Sequence, residues 1–178
     1  MCGIAVIFGD RNPDLLKKML SLIKYRGPDD EGTWFSNDVS MGHTRLSIID
    51  ISSGKQPMLT TDKKKAIVFN GEIYNFKEIR NNLKYKYNFT TNSDTEALLH
   101  LYQEKGYDCV KDLNGMFAFV IYDNGKIFAA RDRIGIKPLY MAKDENKIIF
   151  ASELKCLWFA DDIIEFPPGS IYTSDNGF

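Results

Sequence analysis

The sequence predicts an α+β domain, with long antiparallel strands and helices set apart from them. Three observations carry this reading. The stretch MFAFVIYDNGKIFAARD places two runs rich in Val, Ile and Phe on either side of Asn124-Gly125, the pair preferred in a two-residue hairpin turn. A second hairpin pattern follows in PLYMAKDENKIIFASE. Upstream of both, SDTEALLHLYQEKG carries helix signals: Ser93 with Glu96 makes a capping box, Leu98, Leu101 and Tyr102 form an apolar stripe, and Gly106 supplies the stop.

Taken in order from the N-terminus, Gly3 to Phe8 reads as a buried strand. Asn12 offers a helix cap and Pro13 suits the first helical position, with Leu15, Leu16, Met19, Leu22 and Ile23 on one helical face. The Gly- and Asp-rich RGPDDEG reads as a loop. Val39 to Ile49 and Ala66 to Tyr74 read as strands, separated by the turn-rich stretch Ser52 to Pro57, and Phe76 to Tyr85 reads as a helix. After the capped helix and the two hairpins, GSIYTSDNGF reads as one strand and a turn with no returning strand. Ile171 to Thr173 are therefore expected to lack a partner, and the end of the chain to fray. No repeat, low-complexity tract or linker divides the chain, so residues 1–178 are expected to form one domain.

Composition narrows the functional classes. Lys plus Arg is 23 against 24 for Asp plus Glu, a net charge of −1, and like charges run no further than Lys63 to Lys65. Neither nucleic acid nor an anionic membrane is expected as a partner. No stretch approaches the ~20 apolar residues of a membrane span. Cys2, Cys109 and Cys156 are scattered, odd in number and without C-x-x-C spacing, which argues against a disulfide framework or a zinc site. The short apolar run after Cys2 stops at Gly9-Asp10-Arg11, unlike an export signal, and a reducing cytoplasm is the expected compartment.

The opening MCGIAVIFG raises a chemical question. A cysteine at the head of a strand is commonly a small buried hydrophobe. If Met1 is removed, however, Cys2 carries both a thiol and a free α-amine, with reference pKa values of ~8.5 and ~7.7–8.0. One residue then supplies nucleophile and base, the logic of an N-terminal threonine.

The motifs CGI, RGPDDEG, GHTRLSIID, FNGEIYN, SDTE, LNGMFAF, ARDRIGIKPLY and FASELK occur in that order between Cys2 and about Ser170. Together they resemble the glutamine-hydrolysing domain of asparagine synthetase, one of the class II glutamine amidotransferases, which are N-terminal-nucleophile hydrolases. Related amidotransferases that make glucosamine phosphate or phosphoribosylamine also begin CGI. They typically carry HTRWAT where this chain has HTRLS, and they lack its PDD. The resemblance implies a four-layer αββα sandwich of two antiparallel sheets, whereas the residue pattern by itself supports only α+β.

What the resemblance implies chemically fits the residue types. A thiolate attacking the side-chain amide of L-glutamine creates an oxyanion that needs donors fixed in advance. By resemblance these are the Asn70 side chain and the Gly71 N–H, although Asn-Gly alone also reads as a hairpin turn. Arg45 suits the α-carboxylate through its planar fork, with a surface ion pair as the alternative. Asp94 suits the α-ammonium, with decoration of a helix start as the alternative. Leu46, Ile48, Ile49 and Glu72 wall the pocket in this reading, or are simply structural. His43 and His100 read as structural, and Cys109 and Cys156 as buried spectators. Phe117, Phe119 and Phe128 alternate like strand core. Arg131, Asp132 and Arg133 read as fold-organising or interface charge, with Arg131 to Lys137 as a contact face.

Asparagine synthetases carry a second domain with an SGGxDS-like loop, and no such loop occurs here. The resemblance thus implies the glutaminase half alone, with no metal or other cofactor in this domain. ATP and Mg are expected only in the absent C-terminal synthetase domain, a partner in cis or in trans. Aspartate is the default ammonia acceptor, and a sugar or an antibiotic precursor the alternative. A catalytically silent binding domain and an acylase acting on another amide are the competing classes. A homodimer stays open.

Overall fold

The computed structural model describes residues 1–47, 50, 53–144 and 146–178. Its strands assemble into two antiparallel sheets. The first is ordered β10 (Asp162–Glu165), β8 (Tyr140–Asp144), β9 (Lys147–Ala151), β1 (Gly3–Phe8), β3 (Val39–Arg45) and β2 (Asp30–Phe35). The second is ordered β11 (Ile171–Thr173), β7 (Lys126–Arg131), β6 (Gly115–Asp123), β5 (Lys65–Ile73) and β4 (Met58–Leu59).

Period-two alternation explains how the sheets stack. Ile4, Val6, Val39 and Met41 on the first sheet share one apolar layer with Ala66, Val68, Ala118, Val120 and Ala129 on the second. The intervening residues face outward. Ala5, Ile7, Ile149 and Ala151 pack against helix α1 (Pro13–Ile23). Ile67, Phe69, Phe119, Ile121 and Phe128 lie beneath α2 (Phe76–Leu83) and α3 (Asp94–Lys105). The result is the αββα sandwich. Among the described residues no helix is long and apolar enough to cross a membrane.

Local signals behave largely as expected. Asn124 and Gly125 take φ of 46° and 88°, the doubly left-handed pair that a tight hairpin turn requires. Asn12 caps α1 by accepting the Leu15 N–H at 3.0 Å. Ser93 caps α3 by accepting the Glu96 N–H at 3.2 Å, but the reciprocal half of the box does not form. The Glu96 carboxylate instead accepts from the N–H and hydroxyl of both Thr90 and Thr91 at 2.7–2.8 Å, tying the approaching loop to the helix.

Three expectations need correction. The buried stripe of α1 is Leu16, Met19, Leu20 and Ile23, while Leu22 is 37% exposed. Leu20 is accommodated by Gly42, where a Cβ would come within 2.7 Å of its Cδ1. The loop reading of RGPDDEG holds only in part, because Asp30–Phe35 is the edge strand β2. Its polar, half-exposed face gives no apolar alternation to read. Asn70-Gly71 lies mid-strand, opposite Ala118 and Phe117, as the strand reading over Ala66 to Tyr74 requires and the alternative hairpin turn does not. Finally, Ile171–Thr173 does have a partner, pairing with β7 from Ile171↔Ala130 to Thr173↔Phe128. The terminal Phe178 ring rests 5.0 Å from Phe166 and 5.3 Å from Tyr172 while staying 54% exposed.

Candidate active site

The alternation that builds the inter-sheet core also builds the site. On β5 the inward positions run Ala66, Val68, Asn70 and Glu72; on β3 they run Val39, Met41, His43 and Arg45; ahead of β1 the same series reaches Cys2. At one end of the seam these positions change from apolar to polar. There Cys2, Arg45, Leu46, Asn70, Gly71, Glu72 and Asp94 line a single cavity. Sequence reasoning brought these residues to one pocket, and the fold does so too. Ile48 and Ile49, expected in the same wall, lie outside the described residues.

The open edge of β5 is central to the geometry. Strand β4 pairs only as far as Ile67, so further along this edge the backbone must find other partners. Gln56 Oε1 accepts the Phe69 N–H at 2.6 Å, and Asp94 Oδ2 accepts the Ile73 N–H at 3.1 Å. Backbone groups alternate in direction along a strand, so the Gly71 N–H faces the same edge, midway between those two satisfied donors. The neighbouring Asn70 Nδ2 is buried and has no hydrogen-bond partner among the described residues. An unmet buried donor costs roughly 1–3 kcal/mol, and this one belongs to a residue that lines the cavity. Gly71 is required by packing: a Cβ there would stand 2.2 Å from the Met116 carbonyl oxygen and 2.8 Å from Phe117 Cα. The glycine lets β6 close on β5, rather than only admitting a ligand.

Cys2 is held from both sides. Its Sγ accepts the Leu46 N–H at 3.4 Å, and its carbonyl accepts from Arg26 Nε at 2.9 Å. Arg26 is in turn paired with Glu153 at 2.8 Å. Burial pushes the Cys2 thiol up, against the downward pull of the Leu46 N–H, the chain's amino terminus and Arg45; Asp94 adds to the rise. The net upward push favours the neutral thiol. Cys109 and Cys156 are pushed up by burial to about 12, which makes them inert spectators.

The remaining charges are arranged around this pair. Arg45 is buried and donates through Nη2 to the Asp50 carbonyl at 2.6 Å. Burial raises Asp94 from 3.8 to about 6; the Ile73 N–H opposes this and the Glu72 charge reinforces it. Burial also pushes His43 down to about 4, so its imidazole is neutral. His43 Nε2 donates to the Phe69 carbonyl at 3.1 Å, a bond from the first sheet to the second. Its role is structural, as its lack of metal-binding companions suggested.

Sequence reasoning missed three residues that shape the site. Gln56 also donates to Thr95 Oγ1 at 3.3 Å, linking the edge of β5 to the first turn of α3. Arg26 anchors the residue-2 carbonyl, and Lys137 lines the cavity beside Met1. Arg26 and Lys137 lie inside recognised motifs, but nothing local says that they reach the N-terminus.

A family described as "Glutamine amidotransferase domain" matches residues 1–166. Asparagine synthetase [glutamine-hydrolyzing] 2 of Bacillus subtilis is 43% identical over 167 residues, covering 89% of this chain and 22% of that protein. Asparagine synthetase B [glutamine-hydrolyzing] of Escherichia coli is 42% identical over 186 residues, covering 99% of this chain and 34% of that protein. The chain thus spans about a third or less of the length of these relatives. Among solved structures, the glutamine phosphoribosylpyrophosphate amidotransferase from B. subtilis, complexed with ADP and GMP, superposes with a TM-score of 0.83. It is 22% identical, covering 99% of this chain and 48% of that one, a likeness of fold.

Proposed function

Given that the chain belongs to the glutamine amidotransferase domain family, we propose that it hydrolyses L-glutamine to glutamate and ammonia, with Cys2 as the nucleophile once Met1 is removed. The observation that carries this reading is the buried, unpartnered Asn70 Nδ2 in the cavity that also holds Cys2. A donor kept unmet in the resting site is what an oxyanion that exists only during reaction needs.

In this mechanism the α-amine of Cys2 takes the thiol proton as sulfur attacks the side-chain carbonyl of glutamine. The oxyanion is received by Asn70 Nδ2 and the Gly71 N–H. Collapse breaks the C–N bond and releases ammonia, leaving a thioester on Cys2 that water hydrolyses to glutamate. Arg45 binds the α-carboxylate and Asp94 the α-ammonium, while Leu46 and Glu72 complete the wall. Ionised Asp94 is costly in the empty pocket and is compensated when the substrate ammonium arrives.

The relatives' names couple glutamine hydrolysis to asparagine synthesis. Residues 1–178 are accordingly read as a glutaminase domain serving a C-terminal synthetase part, in cis or in trans, with aspartate as the default acceptor of the ammonia. Among the described residues no cluster of His, Cys, Asp and Glu is arranged to hold a metal. ATP and Mg are assigned to the synthetase part, and no step here runs through them. A cytoplasmic setting without nucleic acid or membrane partners completes the reading.

The test uses protein whose first residue is Cys2, offered glutamine, asparagine or glutamate γ-hydroxamate, with ammonia or hydroxylamine release measured. Glutamine and the hydroxamate should react and asparagine should not. A diazo-ketone analogue of glutamine should add mass to the peptide containing Cys2. Full glutaminase activity in protein that retains Met1 would refute the mechanism.

A further inference from the structure

The segment Arg131 to Lys137 is charged, yet its first two charges are used up inside the fold. Arg131 is 6% exposed and donates through Nε to the Lys137 carbonyl at 2.8 Å. Its Nη1 donates to the Phe166 carbonyl at 2.6 Å and to Glu165 at 2.8 Å, and its Nη2 to the Gly135 carbonyl at 3.0 Å. Asp132 is 2% exposed. It accepts the N–H of Ile136 at 2.8 Å, of Lys137 at 2.9 Å and of Phe117 at 3.2 Å. The expectation that charge here marks a contact face is therefore corrected for Arg131 and Asp132. Both backbone groups of Lys137 are bonded to this pair, so the two charges act as a clamp on one residue.

What the clamp presents is an ammonium group. Lys137 is 6% exposed and lines the cavity with Cys2 and Asn70. Its Nζ contacts Met1 Sδ at 3.5 Å. A thioether is a weak acceptor, and a buried ammonium normally demands a stronger partner. Met1 is also the residue whose removal the proposed glutaminase reaction requires, so the contact vanishes in the form that would react.

We infer that Lys137 is a positioning residue for the N-terminal nucleophile, its ammonium disfavouring a proton on the α-amine of Cys2. This rests on the proposed glutaminase reading. Before attack the amine must be neutral to take the S–H proton, as the C–S bond forms and the carbonyl pair moves onto oxygen. On collapse the α-ammonium returns that proton to the departing nitrogen, the C–N bond breaks and ammonia leaves. A neighbouring cation favours both events and itself exchanges no proton. Of the other charges around Cys2, Arg45 from β3 acts in the same direction and Asp94 from α3 opposes it, while Glu72 from β5 lines the same cavity. Arg26 is on the Cys2 carbonyl and paired with Glu153.

The experiment is a pH profile of kcat/KM for glutamine in protein beginning at Cys2, comparing wild type, Lys137→Met, Lys137→Gln and Lys137→Arg. Loss of the charge should move the acid limb up by about one pH unit, the effect of one unit charge in a partly wet site. Lys137→Arg should keep the limb in place. A second readout, the pH dependence of Cys2 alkylation by iodoacetamide, should move in the same direction and needs no glutamine. The inference is overturned if Lys137→Met and Lys137→Gln lower the rate equally at every pH and leave both midpoints unmoved. If wild type releases no ammonia but the alkylation midpoint shifts, the glutaminase reading falls and the role of Lys137 stands.

Discussion

Asp94→Asn should make the empty protein more stable while damaging its affinity for glutamine. Burial raises the folded pKa of Asp94 from 3.8 to about 6. Because the folded value lies above the unfolded one, the stability it contributes is fully present below about pH 3.8 and is lost as pH rises through about 6. At pH 8 the ligand-free fold therefore bears the full cost of a buried carboxylate. Moving this carboxyl from 3.8 to about 6 corresponds to ~3 kcal/mol. Asparagine removes the charge yet keeps an oxygen for the Ile73 N–H, now at 3.1 Å. Allowing for imperfect replacement of that bond, the gain should be ~1–3 kcal/mol, or roughly 3–10 °C in Tm for a chain of this size. Circular-dichroism melts of both proteins without glutamine, at pH 8 and pH 4, measure it. The gain should be large at pH 8 and nearly absent at pH 4. Affinity should move the opposite way, with KM for glutamine raised on the order of 30-fold or more by loss of a buried charge partner. An Asn variant no more stable than wild type at pH 8, or equally stabilised at both pH values, would refute the reasoning.

Asn70→Ala should lower kcat by ~10²–10³ with little change in KM, because its donor meets charge that appears only during reaction. Arg45→Lys should chiefly raise KM, since a point charge replaces a planar fork; steady-state kinetics on both variants would expose the reverse assignment. Gly71→Ala should destabilise by ~1–3 kcal/mol, as an overpacked site does, because its methyl would stand 2.2 Å from the Met116 carbonyl oxygen. Thermal melts check this, and an unchanged Tm would mean that β6 yields more readily than its pairing implies.

Much of the fold was legible because its signals are local. The Asn12-Pro13 start, the Asn124-Gly125 turn and the Ser93 cap each act within a few residues, and each appears as expected. What escaped is decided by distant partners. Ile171–Thr173 finds its place against β7, some forty residues earlier, and Leu20 rather than Leu22 is buried because Gly42 leaves room for it. The site shows the same division. Ordered motifs pointed to Cys2, Arg45, Asn70, Gly71 and Asp94, and all line one cavity. Asn-Gly by itself also suits a turn, and the pairing with Ala118 and Phe117 decides for the strand expected over Ala66 to Tyr74. The site roles of Gln56 and Lys137 were not legible, since they come from the Phe69 N–H on a neighbouring strand and from Met1 at the other end of the chain.

The seam between the sheets has a mechanical consequence. Arg45 belongs to the six-stranded sheet and Cys2 sits just ahead of its strand β1, whereas Asn70 and Gly71 belong to the five-stranded one. The sheets are thus the jaws of a calliper, and the gap at the tip is zeroed by what is clasped further up. Small inward side chains at Ala66, Ala118 and Ala129 set that spacing, and the His43 bond to the Phe69 carbonyl pins the jaws near their tip. Protein interiors transmit volume changes instead of absorbing them. A single methyl added deep in the seam would open the tip by a fraction of an ångström, detuning the nucleophile against its oxyanion donors without touching either.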